Sequence, residues 1–277
     1  MGFLTGFKAN KAYRAQQKGQ REEALKLYEE AYAEGLNDPG YNLAYALLLI
    51  RSGQYQKAKD FLVKHQKTPG MTQQQRITLL VDYSACCLKL GEIDKGISTL
   101  EQQFRKTETG LIYQTLGYLY VEKYDAANKP DFDAVAEAPA EPEEPEEAAA
   151  EGEDAEKEKE LSPQEAWEAG KQKAEAFIRQ SVEYDDEDPI CLDNMGQFIY
   201  RVLEDKAGAR EWFDKAYALK DSQIDTLYFL SRYDEEAGDR KAALEKLEKA
   251  AGGRFSPLNY CSRETVQKEI ERLKGAN

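Results

Sequence analysis

Histidine is nearly missing from this 277-residue sequence, in which His65 is the only one. The sequence also contains no phosphate-binding loop and no nucleophile elbow, so the common motifs of phosphoryl transfer and acyl transfer are missing. His65 falls at a small-residue position of a predicted helix, which favours a packing role over a catalytic one. We therefore expect a protein that is not an enzyme and binds no cofactor.

Cysteine is scarce as well, and its spacing argues against a metal site. The four cysteines, Cys86, Cys87, Cys191 and Cys261, form no C-x-x-C pair and have no histidine nearby. The usual zinc and redox motifs are thereby excluded. We interpret these residues as buried free thiols and expect a reducing, cytoplasmic location.

Long apolar runs are missing too. No stretch approaches the roughly 18 apolar residues of a membrane-spanning helix. Lys8 and Lys11 also lie where a secretory signal would need its apolar core. We expect a water-soluble chain with neither a membrane span nor an export signal.

Negative charge is concentrated in one segment. Between Asp131 and Glu160 there are 14 acidic and 2 basic residues, which together supply −12 of the net charge of −14. Glu, Ala and Pro dominate this segment, so we expect it to be disordered. It is interpreted as a lure for a basic partner, as a competitor for residues 1–126, which carry a net charge of +3, or as a solubilising spacer. The pI of 4.8 argues against direct nucleic-acid binding.

A period of 34 residues runs through the rest of the sequence. Six pairs of similar residues have this spacing: Gly19 and Gly53, Ala24 and Ala58, Tyr28 and Leu62, Ala209 and Ala243, Phe213 and Leu247, Ala216 and Ala250. The small, large, small spacing within these sets lies on one face of a helix and lets a neighbouring helix approach closely. The glycines precede the second helix of each unit, where a left-handed residue ends the first.

This pattern resembles the tetratricopeptide-repeat family, whose first helix carries a small residue at its eighth position, here Ala12, Ala46, Ser84, Gly117, Gly196 and Ser231. The resemblance implies an all-α fold, a right-handed α-α superhelix of about six helix-turn-helix repeats. The repeats are placed at residues 5–38, 39–72, 77–109, 110–188, 189–223 and 224–257.

The fourth repeat is divided by the acidic segment. Repeats one to three and the first helix of repeat four are placed in residues 5–126, and the acidic disordered insert in 127–161. The second helix of repeat four and repeats five and six are placed in 162–257. Ser162, Pro163 and Glu165 form a helix-start signature, and a capping helix is predicted within 258–277.

The resemblance also implies a concave groove, lined by the first helix of each repeat. The family positions that face a ligand correspond here to Tyr13, Gln17, Leu43, Leu47, Ile50, Arg51, Val81, Leu88, Lys89, Tyr118, Val121, Gln197, Tyr200, Arg201, Tyr228 and Arg232. The helix from Tyr41 to Ile50 is apolar almost all round, so it needs cover either from a partner or from Val81, Ala85 and Leu88 of the next repeat.

We expect a non-enzymatic scaffold that binds a protein or peptide partner in this groove. The alternative is a chaperone for basic proteins that uses the acidic insert. Some family members hold a peptide carboxylate with Lys and Asn spaced four apart, but here Lys8 is followed by Ala12. That activity is not expected.

Overall fold

The computed structural model describes residues 3–132 and 161–275, and within them the chain forms thirteen α-helices and no strand. The helices are α1 (Phe3–Gln17), α2 (Arg21–Ala33), α3 (Pro39–Arg51), α4 (Tyr55–His65), α5 (Gln73–Lys89), α6 (Ile93–Phe104), α7 (Gly110–Tyr124), α8 (Pro163–Tyr184), α9 (Pro189–Gln197), α10 (Lys206–Leu219), α11 (Ile224–Glu236), α12 (Arg240–Ala251) and α13 (Arg263–Gly275). The predicted disorder of the acidic insert concerns residues 133–160, which lie outside the described residues.

Consecutive helices pack as six antiparallel pairs, from α1 with α2 to α11 with α12, and α13 packs against α12. First helices of successive repeats also touch, as α3 touches α1 and α5. The predicted all-α superhelix of six repeats with a C-terminal capping helix is confirmed. The pairing of α7 with α8 shows that the insertion leaves the fourth repeat intact.

The turn between paired helices is set by a left-handed residue. At the end of α3, Gly53 has a φ of 72°. Its N–H donates to the carbonyl of Ile50, and the N–H of Gln54 donates to the carbonyl of Leu49. This Schellman arrangement satisfies carbonyls that a helix end leaves unpaired, and glycine adopts the conformation without steric cost.

Small residues at the eighth position of each repeat, within its first helix, make room for the second helix. Ala12, Ala46 and Ser84 are fully buried. At Gly196 there is no space for a side chain, because an added Cβ would lie 2.8 Å from the ring of Phe213. The core is therefore built from this close approach.

Repeat five accommodates one extra residue in its first helix. A π-helical turn, Phe198–Val202, continues α9 before the chain turns. Such turns are the usual form that a single-residue insertion takes in a helix. Glu204 then occupies the place of the turn glycine, with a φ of 56°.

Candidate partner-binding groove

The groove residues fall into two groups with different exposure. In repeats one to three, Tyr13, Gln17, Arg51 and Lys89 are exposed, Leu43, Leu47 and Leu88 are half-buried, and Ile50 and Val81 are buried. In repeats four to six, Tyr118, Val121, Gln197, Arg201 and Tyr228 are buried, and Tyr200 and Arg232 are half-buried. The accessible part of the groove therefore lies in the first three repeats.

The C-terminal half of the groove is partly covered by the chain itself, through the loop of residues 252–262 between α12 and α13. The carboxylate of Asp225 holds this loop: it accepts hydrogen bonds from Asn259 Nδ2 at 2.9 Å, Tyr260 N at 3.1 Å and Cys261 N at 3.3 Å. The Tyr260 ring stacks on Phe229 with centroids 5.1 Å apart. The loop covers part of this half of the groove, and an open cleft of about 450 Å³ remains between the loop and α7, α9 and α11.

Arg201 is the centre of the buried contacts beneath the loop. Its guanidinium lies 2.7 Å from Glu122 Oε1 and 2.6 Å from Asp125 Oδ2, and its carbon atom is 4.0 Å from the centre of the Tyr260 ring. Burial acts to lower the pKa of Arg201, but Glu122 and Asp125 outweigh it and raise that pKa. Arg201 is thus committed to internal ion pairs, and its predicted contact with a partner stays a prediction that requires the loop to open.

Arg232 and Tyr228 are committed to internal contacts as well. Arg232 Nη2 donates to the Tyr228 hydroxyl at 2.6 Å, and its Nη1 lies 3.3 Å from Glu269 of the capping helix. The capping helix therefore covers this end of the groove and neutralises its cation.

Two buried carboxylates face each other where α9 meets α11. Asp193 accepts hydrogen bonds from Thr226 Oγ1 at 2.5 Å and Gln197 Nε2 at 2.6 Å. Burial, with a further contribution from Asp225, raises the pKa of Asp193 to about 7. Burial also raises the pKa of Asp225. The pair therefore holds a proton near neutral pH.

The N-terminal half of the groove ends in an open cleft of about 620 Å³. One wall consists of the C-terminal ends of α1, α3 and α5, and the other is the loop of residues 252–262. Its lining includes the cations Arg21, Arg51, Lys89, Arg254 and Arg263, the acid Glu264, and the apolar side chains Leu48, Ile50, Tyr55, Phe255 and Pro257. We call this surface the basic cleft.

Arg51 lies among like charges in the basic cleft. Burial lowers the pKa of Arg51, and Arg254 and Arg21 lower it further, while Asp82 opposes them. Burial in turn raises the pKa of Asp82 to about 7, against the pull of Arg51. At neutral pH Asp82 is therefore only partly ionised and balances Arg51 incompletely.

Arg51 and Lys89 of the basic cleft were predicted as groove residues, whereas Arg21, Arg254 and the loop were not. The family positions place only first-helix side chains, and Arg21 begins a second helix. Residues 252–257 end repeat six and residues 258–262 follow it, so the repeat spacing did not predict where this stretch packs. Its mixture of glycine, proline and aromatic residues indicated a break between helices and nothing about where it packs.

No helix in the described part of the chain combines the length and apolar character needed to cross a membrane. Within residues 3–132 and 161–275, His, Cys, Asp and Glu side chains form no group of three or more that could hold a metal ion.

Comparison with known proteins identifies the fold. Residues 17–103, less than a third of the chain, match a family described as anaphase-promoting complex, cyclosome, subunit 3. No curated protein matches the sequence.

Solved structures match over most of the chain. The tetratricopeptide-repeat protein TTC0263 of Thermus thermophilus has 15% identity over 86% of this chain and 99% of its own, with a TM-score of 0.56. The type IV pilus biogenesis factor PilW has 12% identity over 98% and 100%, with a TM-score of 0.56. MamA of Desulfovibrio magneticus RS-1 has 19% identity over 80% and 98%, with a TM-score of 0.51. At such identities these likenesses establish the fold alone.

Proposed function

We propose that the chain, which has the fold of tetratricopeptide-repeat proteins, is a non-enzymatic scaffold that binds a peptide segment of another protein in the groove of repeats one to three. The observation that carries this proposal is the division of the groove. Its C-terminal half is partly covered by the chain's own loop, whereas Tyr13, Gln17, Leu43 and Leu47 keep exposed surface on successive first helices.

These side chains suit a peptide or a short helix laid across the first helices. Leu43 and Leu47 are one turn apart on α3 and are both half-buried, and Leu43 packs against the N-terminal core. Covering such apolar surface stabilises a complex by about 25 cal/mol per Å² before the costs of association. The exposed Tyr13 ring and the Gln17 amide on α1 supply an aromatic face and hydrogen-bonding groups beside them.

A photo-crosslinking amino acid at position 47 tests this function in the native lysate. The position is half-buried in the groove, so a bound segment should form an adduct whose partner peptide can be sequenced. The matched control is the same amino acid at position 219, where Leu219 is 49% exposed on the second helix α10. Equal adduct formation at both positions would show that the groove has no preferred occupant and would refute the proposal.

The alternative function, a chaperone for basic proteins, depends on the acidic segment, of which residues 133–160 lie outside the described residues. Deleting these residues separates the two functions. A scaffold that uses the groove keeps its partner after the deletion and in high salt. A chaperone that uses acidic side chains loses its partner in both cases, because charge attraction is screened over about 8 Å at physiological ionic strength.

A further inference from the structure

Four cations around the basic cleft are left without partners. Within the described residues, the side chains of Arg21, Arg51, Lys89 and Arg254 make no ion pair and no hydrogen bond. The fifth cation, Arg263, donates to the carbonyls of Ala251 and Gly253 and is used by the loop itself. An excess of unbalanced positive charge therefore faces one cleft in a chain with a net charge of −14.

The repeats supply an internal comparison for this excess. Arg51, Lys89 and Arg201 occupy the same position near the end of the first helix in repeats two, three and five. Arg201 is balanced by Glu122, at that position of the preceding repeat, and by Asp125. Arg51 and Lys89 are also adjacent in the stack, but both are basic, and within the described residues neither makes an ion pair with an acidic side chain. At this position, the cation of repeat five forms ion pairs within the chain. The cations of repeats two and three are available to bind a partner.

The second chain segment at the cleft increases the charge further. Arg254 comes from the loop between α12 and α13, and it approaches Arg51 closely enough to lower the pKa of that guanidinium. The one acidic lining side chain, Glu264, is held by a backbone N–H and by Ser262 at the start of α13, which lower its pKa. A bound anion would relieve the repulsion between the positive charges of Arg51 and Arg254. This relief would add to the free energy with which the cleft binds an anion.

The cleft also has an apolar wall, formed by Phe255 and Pro257 of the loop and by Tyr55 of α4. Tyr260, beside them, keeps 41% of its surface exposed. A ligand that fills the cleft must therefore present both negative charge and a large apolar side chain. Its volume of about 620 Å³ lies within the range of roughly 300–1,000 Å³ typical of ligand clefts.

We propose that the basic cleft binds an acidic segment of a partner protein, with carboxylates at Arg51, Lys89 and Arg254 and an apolar side chain against Phe255. This inference rests on the proposed scaffold function and names the chemistry of its partner. A nucleic acid fits less well, because the acidic chain as a whole repels a long polyanion. The chain's own acidic residues 133–160 contain Val135 as their single apolar side chain larger than alanine and proline, so they offer little surface to the apolar wall.

The test measures binding of a fluorescein-labelled twelve-residue peptide of Glu with two Phe residues to the full chain by fluorescence anisotropy. We expect saturable binding that weakens about tenfold in Arg51→Glu and in Arg254→Glu. The matched control is Lys241→Glu, which makes the same change of charge at a side chain that is 89% exposed. A circular dichroism melt of each variant confirms that it remains folded.

Three results would overturn the assignment. The first is that the peptide does not bind, and the second is that Lys241→Glu loses as much affinity for the peptide as the cleft variants do. The third is that a twelve-nucleotide oligothymidylate binds more tightly than the peptide. Binding that appears only after residues 133–160 are deleted would identify the chain's own acidic segment as the occupant, also against the proposal. If any of these results came with crosslinked adducts at position 47, the scaffold function would remain supported and only the proposal for the basic cleft would be refuted. If the peptide bound but no adduct formed at position 47, partner binding in the groove would be refuted and the proposal for the basic cleft would remain supported.

Discussion

At the scale of single residues, Glu204 is the clearest departure from the repeat pattern. It is the only non-glycine residue with a positive φ among the described residues, and it stands where other repeats have glycine. The left-handed conformation costs a residue with a Cβ about 1–2 kcal/mol, part of which glycine loses again to its freedom in the unfolded chain. We expect Glu204→Gly to raise the free energy of unfolding by about 0.5–1 kcal/mol, measured by urea denaturation.

The matched control for Glu204→Gly is the opposite change at the equivalent turn. Gly53→Ala places a Cβ in open space, since no atom lies within 4 Å, so its effect comes only from the φ of 72°. A loss of about 1 kcal/mol is expected. If both variants moved stability in the same direction, backbone strain would not be the cause.

The buried carboxylate of Asp193 makes stability depend on pH. Because the pKa of Asp193 is about 7 in the folded chain and about 3.9 in the unfolded chain, the folded state binds the extra proton between these values. The contribution of this proton to the free energy of unfolding is therefore fully present below pH 4. It is lost as the pH rises through 7, by up to about 1.4 kcal/mol per pH unit. Asp193→Asn keeps the shape of the protonated acid, so we expect it to flatten this slope and to be more stable than the original chain at pH 8.

Denaturant midpoints measured between pH 4.5 and 8.5 give the slope of stability against pH for the original chain and for Asp193→Asn. Asp221→Asn is the control, because Asp221 is exposed and pairs only with Lys249. An unchanged slope in Asp193→Asn would mean that the carboxylate is ionised in the folded chain and that its hydrogen bonds outweigh its burial.

At the scale of elements, the sequence predicts the helix boundaries best where side-chain chemistry is local. Ser162 was predicted to begin a helix, and its Oγ accepts a hydrogen bond from Glu165 N at 3.3 Å while Glu165 Oε2 accepts one from Ser162 N at 2.9 Å. Ser162→Ala should lower stability by about 1 kcal/mol, seen in the thermal melt. Ser98→Ala, at an exposed position inside α6, is the control and should have no cost. An equal cost would show that the capping box contributes nothing.

The repeat pairs and the capping helix could be predicted because their signals recur every 34 residues or lie within one turn of helix. The loop of residues 252–262 could not. Its position depends on Asp225, which is buried only after α9 and α11 pack, and on Tyr260 meeting Arg201 from a distant repeat. The groove prediction therefore listed family positions but missed which of these side chains the chain itself covers.

At the scale of the whole molecule, the loop of residues 252–262 decides how much of the solenoid is open to partners. The Tyr260 ring makes a cation–π contact with the buried Arg201 and stacks on Phe229. Tyr260→Ala therefore removes both the cation–π contact and the ring stacking. We expect faster hydrogen–deuterium exchange in the loop and in the last turn of α9, with α1 to α4 unchanged, because the first repeats have their own core. Tyr13→Ala is the control, since Tyr13 is similarly exposed, at 44%. If the loop exchanged no faster in Tyr260→Ala than in Tyr13→Ala, the hydrogen bonds of Asp225 alone would hold it over the C-terminal half of the groove.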